Sequence, residues 1–123
     1  MAKISVYLKA IVHDDEVALE LTDSHGNTGI NDIATKANHH DHMEWKCVRD
    51  SNIKRIVNIY AKPDSKDLFS KDPRRIKDNH WKGTISSKVS GTEYYNIEYE
   101  YKDGRVILDD PRVVVIPPPP PND

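Results

Sequence analysis

The sequence predicts an all-β protein: a single antiparallel β-sandwich of about seven strands, immunoglobulin-like in plan, with short helical turns at most. Three observations support this. Apolar residues recur with a period of two in several short runs, turn-forming residues separate those runs at regular spacing, and no segment sustains a helical period. The chain has 123 residues, enough for one domain, expected over residues 1–116, with a separate tail at 117–123.

The first run, "ISVYLKAIV", places Ile4, Val6, Leu8 and Ala10 on one face and Ser5, Tyr7 and Lys9 on the other. "EVALELTD" sets Val17, Leu19 and Leu21 against Ala18, Glu20 and Thr22. "HMEWKCV" sets Met43, Trp45 and Cys47 against His42, Glu44 and Lys46. "RIVNIYA" (55–61) and "GTISSKV" (83–89) read as further strands, and "YYNIEYEY" puts Tyr95, Ile97, Tyr99 and Tyr101 on one side. Such alternation marks strands with one face on a core and one in water. The last run, "RVILDDPRVVVIP", is interrupted by Asp110-Pro111, expected at a bulge, bend or edge because proline cannot donate to a ladder. "HDD", "DSHGN", "KPDSKD", "VSGT" and "KDG" supply turns, and "KDG" makes the runs on its two sides a hairpin. "NDIATKAN" (31–38) and "DPRRIKD" (72–78) each suit one helical turn.

Composition narrows the function classes. Eighteen basic residues against 20 acidic ones give a net charge of −2, so no single-sign field covers the whole molecule and nucleic acid is an unfavoured partner. The one cysteine, Cys47, cannot form an internal disulfide. Apolar runs are too short to span a bilayer as a helix. The N-terminus makes a poor signal peptide, so the expected location is cytoplasmic, or outside the cell without a cleaved Sec signal. No nucleophile elbow and no glycine-rich phosphate loop occurs, and Cys47 falls on a core face; the chain is not expected to be an enzyme.

Three groups of residues are candidates for binding. His39, His40 and His42 sit close together in "NHHDH", and imidazoles at that spacing would give weak zinc, nickel or copper binding; no tightly held cofactor is expected. The competing reading is a solvated loop running into a strand. "KDPRRIKDNHWKG" (71–83) places Arg74 and Arg75 near Trp81, either a cationic ligand platform with an aromatic or a core tryptophan beside surface charges. Val113 and Val115, followed by Pro117, Pro118 and Pro119, could pair edge-to-edge with a second copy. The proline run could also meet an aromatic groove on another protein, or serve as a stiff spacer.

From Asp41 to Pro117 the order of features resembles cupredoxin-like sandwiches: "DHMEWKC" as a tryptophan-bearing strand after an acidic turn, "SGTEYYNIEYEYKDG" as a glycine-led strand, and "DDPRVVV" as the closing strand. The last is also similar to the ending of the bacterial AidA/PixA inclusion-body proteins, small β-sandwiches without a known catalytic site. The resemblance implies a sandwich fold and a non-catalytic role in assembly. A blue-copper site would need cysteine and histidine late in the chain, and "YKDGRVILDD" has neither, so the implied version is copper-free. A binding or self-assembling structural protein is therefore the expected function, with metal binding or carbohydrate or peptide binding as alternatives.

Overall fold

The computed structural model describes residues 2–63, 65–109 and 111–115, with only the backbone of Arg112. Eleven strands run in chain order: β1 (Lys3–His13), β2 (Glu16–Asp23), β3 (Thr28–Ile30), β4 (Ala34–Ala37), β5 (His42–Cys47), β6 (Ile53–Ala61), β7 (Phe69–Lys77), β8 (His80–Ile85), β9 (Gly91–Tyr101), β10 (Val106–Asp109) and β11 (Arg112–Val115). They form an all-β sandwich of two sheets. One has the order β3-β2-β1-β5-β8-β7. In the other, β9 pairs with β6 on one edge and with β10 and β11 on the other, and β4 lies beyond β11.

The structure adds short strands and two parallel pairings, β1 with β5 and β4 with β11, to the antiparallel plan. Both segments expected as helical turns are extended: residues 34–37 are β4, and residues 72–77 lie in β7. Their sequences alternate too briefly to declare a strand, and pairing to a neighbour decides them.

Local turn chemistry follows the residues. Asp14 and Asp15 both have positive φ, 51° and 65°, as a two-residue hairpin turn of the primed type requires. Between β9 and β10, Gly104 takes φ 96°, and its N–H bonds the Tyr101 carbonyl at 2.9 Å. This is the glycine-closed three-residue loop that "KDG" announces. On either side of Pro111 the ladder keeps one register. Val106 faces Glu100 and Arg112 faces Tyr94, six residues along on each strand. Pro111 accepts the Tyr95 N–H at 3.2 Å but has none to return, so β10 and β11 are two halves of one line.

The core lies between the sheets. It takes Ile4, Val6, Leu8 and Ala10 from β1, Leu19 and Leu21 from β2, and Met43 and Trp45 from β5; β9 adds Tyr95, Ile97 and Tyr99. Trp45 packs 5.7 Å edge-on to Tyr95 and 5.9 Å from Phe69, and its Nε1 donates to the Tyr95 hydroxyl at 3.2 Å. An aromatic contact of this kind is worth about 1 kcal/mol beyond burial, and here it joins the two sheets directly.

Two buried carboxylates fix the loops. Asp23 accepts the N–H groups of His25 and Asn27 at 3.0 Å each, the Asn27 amide at 3.0 Å and the Thr35 hydroxyl at 2.9 Å, tying the β2–β3 turn to β4 of the other sheet. Burial raises its carboxyl, but these hydrogen bonds outweigh that and hold it below the usual aspartate range. Asp41 accepts the Ala2 N–H at 3.0 Å and the Asn38 N–H at 2.8 Å.

Because the folded-state pKa of Asp23 is depressed, its contribution is present above the unfolded value and is lost as pH falls through the folded one. Asp23→Ala is expected to cost about 3 kcal/mol in urea unfolding at neutral pH, from stranded donors. Asp23→Asn should cost less and flatten the acid side of the stability profile; an unchanged midpoint for Asp23→Ala would remove Asp23 as the anchor.

Candidate functional site

The histidines do not converge. His39 is half-buried, with Nε2 2.9 Å from the Ser90 hydroxyl. His40 is exposed in a left-handed turn at φ 69°. His42 is exposed on the outer face of β5, with Nδ1 3.2 Å from the Thr84 hydroxyl. Among the described residues no three His, Cys, Asp or Glu side chains are placed to hold a metal ion. The motif's carboxylate, Asp41, is turned inward to cap backbone N–H groups. The same holds for "DSHGN", whose aspartate is Asp23. "NHHDH" reads as a metal motif because carboxylates that organise tight turns use the same residue types as ligand loops. Cys47 is half-buried and its thiol is pushed up to about 11 by burial, only partly offset by Ser51, which leaves it protonated at neutral pH.

The expected platform at Trp81 is corrected. Trp81 is 7% exposed and stands opposite Trp45 in the β5–β8 register, within the core. Arg74 and Arg75 are exposed, but they face different partners across the ladder, Lys82 and Trp81, and Arg75 is paired with Asp78 at 3.1 Å. No exposed tryptophan stands beside them. The strand begins at His80, before Trp81, and this shift of boundary is what takes the indole inside.

The expected assembly strand is also corrected. Val113 and Val115 are fully buried, and β11 is covered on both sides, by β9 and by β4. A run of consecutive apolar residues suits such an enclosed strand better than an edge. Pro117, Pro118 and Pro119 lie outside the described residues.

The open edge is one strand earlier, at β10. β4 stops alongside β11, so β10 is hydrogen-bonded on its β9 side and no strand among the described residues covers its other side. Its outward side chains, Val106 and Leu108, are 55% and 58% exposed. A groove of about 440 Å³ is bounded by Val12, Glu16 and Val17 of the β1–β2 hairpin and by Arg105 and Ile107. On the outer face a wider cleft of about 640 Å³ lies between Leu108, the exposed Tyr94, Asn96 and Lys62. The alternation of "VILD" marks Val106 and Leu108 as one face in the sequence. That the face stays open depends on where β4 ends.

Glu93 faces inward from β9 and is fully buried. One oxygen accepts the Leu68 N–H at 2.8 Å, and the other has no hydrogen-bond partner among the described residues. Burial pushes this carboxyl up to about 7; the Leu68 bond lowers it in part, and Asp67 and Asp72 raise it further.

No protein-family model matches the chain, and no curated protein is similar to it in sequence. Among solved structures, the fold is shared with the inclusion body protein PixA from Burkholderia cenocepacia J2315. The match has 12% identity, 94% of this chain and 96% of that one, and a TM-score of 0.53. The cysteine protease inhibitor EhICP2 from Entamoeba histolytica matches at 12% identity over 68% of this chain and 84% of that one, with a TM-score of 0.37. An endo-fucoidan hydrolase of glycoside hydrolase family 107 matches at 6% identity over 92% of this chain and 23% of its own, with a TM-score of 0.44. The last two likenesses are too loose to bear on function. The first agrees with the inclusion-body sandwich resemblance at the level of the fold.

The buried Glu93 makes stability depend on pH. In the folded chain its carboxyl keeps its proton up to about 7, whereas its ordinary value is 4.5. Between those values the folded state binds the additional proton, so stability falls as pH rises through that window and levels off above it. Glu93→Gln keeps an acceptor for Leu68 and is expected to remove this slope, stabilising the protein at pH 8 by up to about 3 kcal/mol. Thermal or urea unfolding of both proteins across pH 4 to 8 checks this, and parallel profiles would contradict it.

Proposed function

We propose that this chain is a non-catalytic β-sandwich that works by joining copies of itself through strand pairing at β10. The carrying observation is that no strand among the described residues lies beyond β10, where Val106 and Leu108 are exposed on the outer face. An open edge presents N–H and C=O groups at strand spacing, which a second strand satisfies while burying the apolar side chains beside it. β4 covers only half of the line that β10 and β11 form, and among the described residues no strand continues β4's course beside Val106 to Leu108.

Two further points support the reading. Side chains that the sequence offers for chemistry are engaged in structure: Asp23 and Asp41 in turns, and Cys47 as a protonated, half-buried thiol. The fold is also that of a protein described as an inclusion body protein. The partner under this proposal is the chain itself, and the tail at 117–123 is a separate element available to another protein.

Size-exclusion chromatography with light scattering tests the proposal over a wide concentration range. The wild-type chain is expected to associate as concentration rises. Val106→Lys/Leu108→Lys should remain monomeric with an unchanged melting temperature, since both positions are exposed. Removing residues 117–123 should leave association intact. A wild-type chain that stays monomeric throughout, or association that depends on the tail and ignores the β10 variant, would overturn it.

A further inference from the structure

The outer face of the six-stranded sheet has a charge pattern that the overall charge of −2 conceals. The strand registers set out three rows across β1, β5, β8 and β7. The first is Lys3, His42, Thr84 and Lys71; the second is Ser5, Glu44, Lys82 and Arg74; the third is Tyr7, Lys46, His80 and Lys77. Six lysines and arginines thus share these twelve positions with a single carboxylate, and the next acids on the same sheet face, Glu20 and Glu16, stand on β2 beyond Lys9 and His13. Adjacent strands are ~4.8 Å apart, so each row crosses roughly 15 Å of sheet.

Glu44 organises the centre. It is 3% exposed, and its carboxylate lies 3.3 Å from Lys46 Nζ, 3.3 Å from His80 Nε2, 3.5 Å from Lys82 Nζ and 3.6 Å from Lys3 Nζ. Burial raises its carboxyl, but Lys46, Lys3 and His80 outweigh that and keep it ionised below the usual glutamate range. One buried charge thereby holds several cationic heads in place, reducing the ordering cost of presenting them to a ligand. Glu44 also lines one wall of a hollow of about 280 Å³ that Lys3, Lys71, Arg74, Lys82 and Thr84 border. Lys71 and Arg74 form no ion pair among the described residues. The acid nearest in sequence, Asp72, instead acts on Glu93.

We propose that this face binds the sulfate or phosphate ester groups of an anionic polysaccharide, with an oxyanion in the hollow between Lys71, Arg74 and Lys82. Arg74 supplies a planar fork for two oxyanion oxygens, Lys71 and Lys82 supply point charges, and the Thr84 hydroxyl supplies a polar contact. A polysaccharide is favoured over single-stranded nucleic acid because base binding uses stacking platforms. Here Trp81 is in the core, and Tyr7, about one-third exposed, is the exposed ring on the grid. This surface belongs to the sheet that lacks β10, so it stands or falls separately from assembly.

Heparin is the probe, titrated calorimetrically at low salt, with uncharged dextran, a charge-matched oligothymidylate and anionic lipid vesicles as further arms. Heparin is expected to bind, with affinity falling as salt rises, and dextran is expected not to bind. Lys71→Ala/Arg74→Ala/Lys82→Ala should weaken heparin at least tenfold. Lys36→Ala/Lys66→Ala/Lys88→Ala, which removes the same charge from exposed sites off the grid, should weaken it less than threefold. All of these positions are at least partly exposed, and a cooperative unfolding transition well above the titration temperature verifies folding. Absent heparin binding, equal losses in the two triple variants, or binding of the oligonucleotide or vesicles as tight as that of heparin would overturn the proposal.

Discussion

The contact between Trp45 and Tyr95 sets the frame. An indole on β5 of one sheet meets a phenol on β9 of the other, edge-on and hydrogen-bonded, with Phe69 closing one side. Strand side chains alternate strictly, so turning Trp45 inward also turns Met43 inward and His42, Glu44 and Lys46 outward. The core and the charged outer face are therefore two consequences of one choice of register. A slip of one residue would bury Lys46 and expose the indole, at a cost no local interaction could offset.

Acidic side chains do three different jobs in this fold. Asp23 and Asp41 are buried because backbone N–H groups need them, and the donors keep them satisfied. Glu44 is buried because cations crowd over it. Glu93 is buried with one donor only, and it answers by keeping its proton. The environment of each carboxyl, and not its motif, decides whether it behaves as a structural anchor, a charge organiser or a titrating group.

The second sheet depends on how one line of chain is shared. β10 and β11 follow β9 in a single register on either side of Pro111, and β4 accompanies only the β11 half. Two stretches with three apolar residues and one charge each are thereby treated differently: "RVVV" is enclosed and "VILD" is left at the edge. The exposed apolar edge expected at Val113 and Val115 lies at Val106 and Leu108 for this reason: hydrophobicity alone does not say which strand has a neighbour.

Much of the architecture was legible in the sequence. The inward faces of β1, β5 and β9 follow from alternation, and the hairpin turns at Asp14-Asp15 and Lys102–Gly104 follow from residue chemistry, because both signals are local. The candidate sites were legible only in part. The cations of residues 71–82 were visible as a cluster, but Lys3 and Lys46 join them only through the parallel β1–β5 pairing and the β5–β8 ladder. The histidines were close in sequence, yet backbone turns send them to Ser90, to solvent and to Thr84. The sequence by itself determined which side of each strand is apolar, since that depends on a residue and its immediate neighbours. The tertiary structure alone decided which strands lie side by side, which edge stays open and which charges share a face, since those depend on pairings between segments far apart in the chain.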